Sequence, residues 1–331
     1  MFRELGGPDV LTLEDVTIGE PGPGELRVRV DAIGLNRAEV LFREGNYLDQ
    51  PTFPSRLGYE AAGIVDAVGP EVAGFAPGDA ISVVPGFSQN DYGVYGTYAI
   101  VPAASVVHRP ESIDAVTGAA VWMPYITAYG ALVEIAGVRP GDSALITAAS
   151  SSVGLAAIQI ANHLGVVPIA ATRTSAKKQQ LLDAGAAHVI VTDDEDVTER
   201  ARTLSGGEGV QIVFDAVAGP GVEALNQAVA PGGIQFLYGY LDPRPTPLPS
   251  GMRPVSIRPY TLFELTYDSE RLRRAEHFVN AGLRSGAFVP IVDRVFDGLE
   301  SIVEAHRYME SVTYTTMDGT PYTPTGQIGQ C

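Results

Sequence analysis

With 331 residues and 45% apolar content the chain can build a large core divided between two domains, since single cores stop growing at about 250–300 residues. Its net charge of −17, with no basic face visible, argues against a nucleic-acid binder, and no apolar run approaches the ~20 residues of a membrane helix. The only cysteine, Cys331, rules out an internal disulfide framework and a cysteine-built zinc site, and the polar, turn-like Met1–Asp9 shows no secretory signal, so a cytoplasmic enzyme is expected.

The first part, rich in glycine and proline, carries short β-like runs at Glu25–Ala32, Gly63–Val68, Ala80–Val84 and Tyr98–Val101. Turn residues at Gly19–Gly24, Gly74–Asp79 and Pro85–Gly86 separate them, which predicts a barrel-like β domain over residues 1–121. After Trp122 the pattern changes. A helix over Ala128–Ala136 leads into alternating elements: strand Ser143–Ala148, helix Val153–Leu164, strand Val167–Ala171, helix Ala176–Ala184 and strand His188–Thr192. Helix Val197–Leu204, strand Val210–Ala216, helix Gly221–Val229 and strand Ile234–Gly239 follow. Such alternation implies βαβ units around a parallel sheet, over residues 122–262. The proline-rich Asp242–Pro254 reads as a surface loop. Residues 263–331 form a third segment, with helix Ser269–Leu283, strand Val289–Val292 and helix Gly298–Tyr308.

The strand-to-helix passage Ala148-Ala149-Ser150-Ser151-Ser152-Val153-Gly154 has the texture of a dinucleotide turn. Such a turn must be tight, and its backbone must approach a pyrophosphate at a helix N-terminus, so small residues are needed at each close approach. Ala149, Ser151 and Gly154 stand at the three positions of G-x-G-x-x-G, and only the last is glycine. About 20 residues on, where NAD sites carry a carboxylate for the ribose 2′-hydroxyl, the chain reads Thr172-Arg173-Thr174-Ser175, then Lys177 and Lys178, its only two lysines. A carboxylate would repel a 2′-phosphate, whereas Arg173 can stack on adenine and pair with the phosphate and Thr174 and Ser175 can donate hydrogen bonds, with Thr172 and Lys177 as further cofactor-binding candidates; the alternative is a solvated basic patch. NADPH is therefore expected over NADH. Val217 and Ala218 end the next strand, and Tyr238, Gly239 and Tyr240 end the one after. Carboxyl ends of parallel strands line the ligand crevice, so these positions read either as cofactor contacts or as strand-end packing.

Together these segments resemble the medium-chain dehydrogenase/reductase superfamily, and within it the zinc-free branch of NADPH:quinone oxidoreductases and enoyl reductases. The matching stretches are Gly19–Glu25, Ala32–Glu39, Leu57–Val65, Gly74–Asp79, Thr127–Leu132, Ala148–Leu155 and Ala305–Tyr308. The resemblance implies an α/β fold with a GroES-like β-barrel catalytic domain and a Rossmann doubly wound parallel-sheet domain, the last segment returning to the catalytic domain. It also implies a homodimer. Zinc-dependent relatives hold catalytic zinc with Cys in a Gly-x-Cys segment and His in a Gly-His-Glu segment. Asn36 and Tyr59 stand at those positions here, and the five histidines are scattered, so no metal site is expected. One departure from the branch is at the C-terminus, where Val312–Pro324 precedes Gly326-Gln327-Ile328-Gly329 in place of a Gly-Lys and a closing apolar strand.

The resemblance implies hydride transfer from NADPH to a quinone or an α,β-unsaturated carbonyl, a small conjugated molecule. Asn36, Tyr59 and Tyr47 are the candidate catalytic donors, with Tyr92 and Tyr95 on the glycine-rich loop Gly86–Tyr98 as further candidates. Tyr59 reads equally as an aromatic wall. Thr127 is expected to orient the nicotinamide carboxamide or to cap a helix; Trp122, Met123 and Tyr125 line the pocket or pack the core. Two rival readings keep the same fold: a redox-neutral biosynthetic enzyme such as a cyclase, and a nucleotide-binding protein without turnover.

Overall fold

Alternation of apolar and charged residues builds the first sheet. In β1 (Glu25–Gly34), Leu26 and Val28 point into the core while Arg27 turns outward to an ion pair with Asp66 at 2.5 Å. A computed structural model describes residues 1–251 and 253–311, together with the backbone of the paired segments Tyr314–Thr315 and Pro321–Tyr322. Apart from that pair, the unusual C-terminal stretch and Cys331 lie outside the described residues. After β1 come the helix α1 (Arg37–Arg43) and the strands β2 (Glu60–Val68), β3 (Ala80–Val83), β4 (Tyr98–Pro102) and β5 (Val106–His108). They form one antiparallel sheet in the order β4-β1-β2-β3-β5. Two of these elements escape the sequence reading. β5 is three residues long, too short for an alternating signal, and α1 is marked only by the capping box of Asn36 and Glu39.

Two helices, α2 (Ala115–Gly118) and α3 (Trp122–Tyr129), carry the chain into the second unit. All eight residues of α3 are buried, and the helix continues as a π-helix over Gly130–Ile135. A Cβ at Gly130 would collide with the Tyr260 hydroxyl, so only glycine admits this approach. The helical stretch expected over Ala128–Ala136 starts earlier, at Trp122, and its second half is the π-helix.

The second sheet is parallel throughout. Its strands are β6 (Ser143–Ile146), β7 (Val167–Thr172), β8 (His188–Val191), β9 (Val210–Asp215), β10 (Val229–Leu237) and β11 (Ser256–Pro259). The order β11-β10-β9-β6-β7-β8 places β6 and β9 side by side at the point where the winding reverses, the switch point at which such sheets bind dinucleotides. The connecting helices are α4 (Ser152–His163), α5 (Lys178–Asp183), α6 (Val197–Leu204) and α7 (Val222–Ala228). β11 escapes the sequence reading because it is four residues ending in a proline, a pattern confined to sheet edges.

Beyond this sheet follow α8 (Phe263–Thr266), the long α9 (Ser269–Ser285) and α10 (Ile302–Glu310). The strand expected at Val289–Val292 is a correction: Val289, Ile291 and Val292 are exposed, irregular backbone. The Gln159 side chain takes the part of a neighbouring strand there. Its Nε2 donates to the Val289 carbonyl at 3.0 Å, and its Oε1 accepts the Val289 N–H at 2.8 Å. An apolar triplet thus satisfies its first backbone groups without a ladder.

Candidate active site

The passage from β6 into α4 is built for a close approach. Ala148 turns the chain with φ +44°, and Ser151 caps α4 by accepting the Gly154 N–H at 3.1 Å. A Cβ on Gly154 would stand 2.6 Å from the Ala149 backbone, so glycine alone lets the helix press on the turn. The remaining first-turn N–H groups, those of Ser152 and Val153, are left for a partner at the positive end of the helix dipole. Lys177 Nζ reaches over to donate to Ser150 Oγ at 3.2 Å. These features fit a pyrophosphate. Gly154→Ala is expected to lower stability by about 1–3 kcal/mol through that overlap, read as a fall in the unfolding midpoint with denaturant; an unchanged midpoint would mean the turn relaxes freely.

Around this turn opens a cleft of about 2020 Å³. At the ends of β7 and β8 its lining is Thr172, Arg173, Thr174, Lys177 and Thr192, with no carboxylate among them. At the end of β9 the buried Asp215 organises the neighbouring loop. Its carboxylate accepts the Thr147 hydroxyl at 2.7 Å, the Val217 N–H at 2.9 Å and the Ala218 N–H at 3.3 Å. Val217 lines the cleft, whereas Ala218 is fully buried with φ +58° and serves the turn; its expected place against the cofactor is corrected accordingly. Tyr238, Gly239 and Tyr240 all line the cleft. Tyr238 lies stacked on Phe214 with centroids 4.0 Å apart, and a Cβ on Gly239 would meet the Ala216 carbonyl at 2.7 Å. Gly154 lies beneath the floor formed by Ser151, Ser152 and Val153 rather than in it. Thr127 lines the cleft from the middle of α3, so it caps no helix. Its hydroxyl donates to Met123 O at 2.6 Å and keeps its lone pairs for an incoming amide.

Facing the nucleotide end stand Asn36 at the start of α1, Tyr47 in the loop that follows it, and Glu60 at the start of β2. Asn36 is held between two fully buried carboxyl groups. Its N–H donates to Glu39 Oε2 at 2.9 Å, and its Nδ2 donates to Glu60 Oε2 at 3.3 Å. Glu60 Oε1 accepts the Trp122 N–H at 2.5 Å and the Met123 N–H at 3.2 Å. Burial raises Glu60 to about 8, against the pull of these N–H donors, and raises Glu39 to about 7. Neither glutamate was among the sequence candidates. The signal for Glu60 is its place directly after Gly58-Tyr59, beside the residue that stands in for a zinc ligand.

Tyr59 itself is a correction. It does not line the cleft; its ring is buried against Tyr47, Phe87 and Phe263, and its N–H donates to Glu39 Oε1 at 3.0 Å. Burial also pushes the hydroxyls of Tyr47 and Tyr59 above their ordinary value. Tyr92 donates to Glu25 Oε1 at 2.8 Å, and Tyr95 is held against His306, so neither reaches the cleft. Of loop Gly86–Tyr98 only Gly96 and Thr97 do. Met123 lines the cleft, whereas Trp122 is core and Tyr125 donates to Gln159 at 2.7 Å. The irregular segment from Ile291 to Gly298 and the Ala305, Tyr308 and Met309 face of α10 close the far wall. Among the described residues no three His, Cys, Asp or Glu side chains converge as a metal site, and no helix is long and apolar enough to cross a membrane.

Comparison with known proteins agrees with this geometry. Residues 22–111 match the alcohol dehydrogenase GroES-like domain, and residues 152–279 match the zinc-binding dehydrogenase family. The chain is 30% identical to the quinone oxidoreductase of Homo sapiens over 309 residues, 92% of this chain and 91% of the relative. Its structure is similar to that of the Pseudomonas syringae quinone oxidoreductase, with a TM-score of 0.84 at 29% identity and 98% of each chain covered. It is also similar to the Escherichia coli quinone oxidoreductase complexed with NADPH, with a TM-score of 0.83 at 28% identity and again 98% of each chain covered.

Proposed function

The chain belongs to the quinone oxidoreductase branch of the medium-chain dehydrogenase/reductase superfamily, and from that premise we propose that this oxidoreductase reduces a quinone or an α,β-unsaturated carbonyl with NADPH and without zinc. The observation that carries the reading is the cleft itself. A glycine-cradled helix N-terminus and a carboxylate-free basic rim stand at one end, and a buried donor group at the other. In this reading Ser151, Ser152 and Val153 hold the pyrophosphate, and Thr172, Arg173, Thr174 and Lys177 hold the 2′-phosphate. Thr127, Val217 and the Tyr238–Tyr240 strand end border the nicotinamide. NADPH, when bound, supplies the hydride that adds to the conjugated system.

Asn36 Nδ2 and the Tyr47 hydroxyl are the donors that polarise the substrate oxygen and meet the charge that grows on it. Asn36 and Tyr59 occupy the positions that hold zinc in zinc-dependent relatives, and an amide and a buried phenol are poor ligands for that ion. The catalytic unit is residues 1–121 with the returning segment, the nucleotide unit is residues 122–262, and the protein works in the cytoplasm as a homodimer. Purified protein incubated with a panel of quinones and enones is expected to consume NADPH, with NADH far less effective. Absence of turnover with every acceptor, together with absence of NADPH binding, would overturn the reading.

A further inference from the structure

The proposed reduction needs a proton as well as a hydride, and the tyrosines are poorly suited to give one. Burial holds the protons of Tyr47 and Tyr59 more firmly than in free tyrosine, and Tyr59 lies behind the cleft wall. Glu60 is the buried acid that touches the cleft beside Asn36. Its two oxygens are unequal. Oε1 faces the first turn of α3 and accepts two backbone N–H groups, whereas Oε2 has only the Asn36 amide at 3.3 Å. A proton on Glu60 therefore sits on Oε2. Gly34 packs tightly beside that oxygen, since a Cβ there would collide with the Ala119 carbonyl oxygen and stand 3.0 Å from Oε2.

We propose that Glu60 is the proton store of the site, delivering the proton on Oε2 to the reduced substrate beside Asn36. This rests on the reductase reading above. As hydride adds to the β-carbon of an enone, the C=C pair shifts to give an enolate. The Oε2–H bond then breaks, the proton bonds to the enolate, and the electron pair remains on Glu60 as a carboxylate. Water returns the proton afterwards. The substrate gains one hydride from NADPH and one proton from Glu60, so atoms and electrons balance.

Burial favours the protonated form at rest and the charge of Glu39 on α1 adds to it, while the α3 backbone N–H groups and the Asn36 amide pull the other way; Asp31, Arg37 and Glu44 line the same cleft. With Glu60 raised to about 8, the acid is loaded at neutral pH and is lost as pH rises through that value.

Glu60→Gln tests the proposal, because it keeps the shape and removes the proton. In the full-length protein without cofactor, infrared difference spectra across the titration are expected to show a protonated carboxyl band that disappears near pH 8. That band should be absent in Glu60→Gln and retained in Glu39→Gln. With NADPH and an enone, wild-type kcat should fall above pH 8. Glu60→Gln should lose at least about tenfold in kcat at neutral pH, lose that alkaline limb, and keep its KM for NADPH. A lowered kcat with the wild-type limb intact would reduce Glu60 to holding Asn36 in place and overturn the proposal. So would a Glu60 band already ionised at pH 7, whether or not any acceptor is turned over. A wild-type enzyme inert with NADPH would instead sink the reductase reading, while the infrared result still decides whether Glu60 stores a proton.

Discussion

Arg173→Glu is expected to weaken NADPH binding about 100-fold while NADH affinity changes by no more than about threefold, since a charge-assisted hydrogen bond contributes roughly 1.5–3 kcal/mol and the new carboxylate adds repulsion. Arg173 is half-buried at the end of β7, its backbone carbonyl tied to Asp193 N–H at 3.0 Å, so its position does not depend on its charge. Thr172, Thr174 and Lys177 line the same corner. In the proposed reading the rest of the nucleotide is held by the turn at Ser151–Val153 and by the β9 and β10 ends, which the substitution leaves alone. Titration of both cofactors by nucleotide fluorescence measures the ratio directly. Equal losses would mean that Arg173 serves a part of the molecule common to both, and the 2′-phosphate assignment would fail. Raised salt should narrow the wild-type preference for the same electrostatic reason.

That prediction was open to the sequence because its carriers are local. A strand, a small-residue turn, a capped helix and a basic strand end follow one another within about 30 residues, the length of one βαβ unit. Helix α6 was legible to the residue, since Asp196 caps it and accepts the Glu199 N–H at 2.8 Å. The substrate end is assembled from afar. Glu60 meets Trp122 and Met123 across 62 and 63 residues, and no periodicity announces that a carboxylate at the start of a strand will be taken up by a distant helix. The same distance explains the tyrosines. Tyr59, Tyr92 and Tyr95 sit in glycine-rich stretches that look open, yet each turns inward to a remote partner: Phe263, Glu25 and His306. Val289–Val292 misled in the opposite sense. Its apolar triplet has strand composition, but its first residue's partner is the amide of Gln159 and its side chains stand at the cleft wall and surface.

Arg43→Ala is expected to cost about 3–5 kcal/mol of stability, the scale for breaking a buried charge network by removing one member. Arg43 is fully buried on α1 and joins three distant parts of the chain. Its Nε donates to Gly6 O at 2.9 Å, one terminal nitrogen donates to His306 Nδ1 at 2.7 Å, and the other to Glu310 Oε1 at 2.8 Å. Accepting on Nδ1 leaves His306 neutral, with its Nε2 3.3 Å from the Tyr95 hydroxyl. Burial first, and then Arg43, hold His306 below its ordinary value, the Glu310 bond opposing them. Burial works against ionised Glu310, but His306 and Arg43 outweigh it and hold that carboxyl low. Both groups bind protons less readily folded than unfolded, so their contribution is present at neutral pH and fades as pH falls through the histidine range and then the carboxylate range. Without Arg43 both accept protons more easily, so the deficit of Arg43→Ala should be largest near neutral pH and shrink on acidification. Denaturant unfolding of both proteins at several pH values reads this out. A constant deficit would mean that Arg43 acts through packing alone. Because Ala305, Tyr308 and Met309 of α10 line the cleft, the variant should also raise KM for the acceptor while leaving NADPH affinity unchanged. An acceptor KM equal to wild type would show that α10 keeps its place without this anchor.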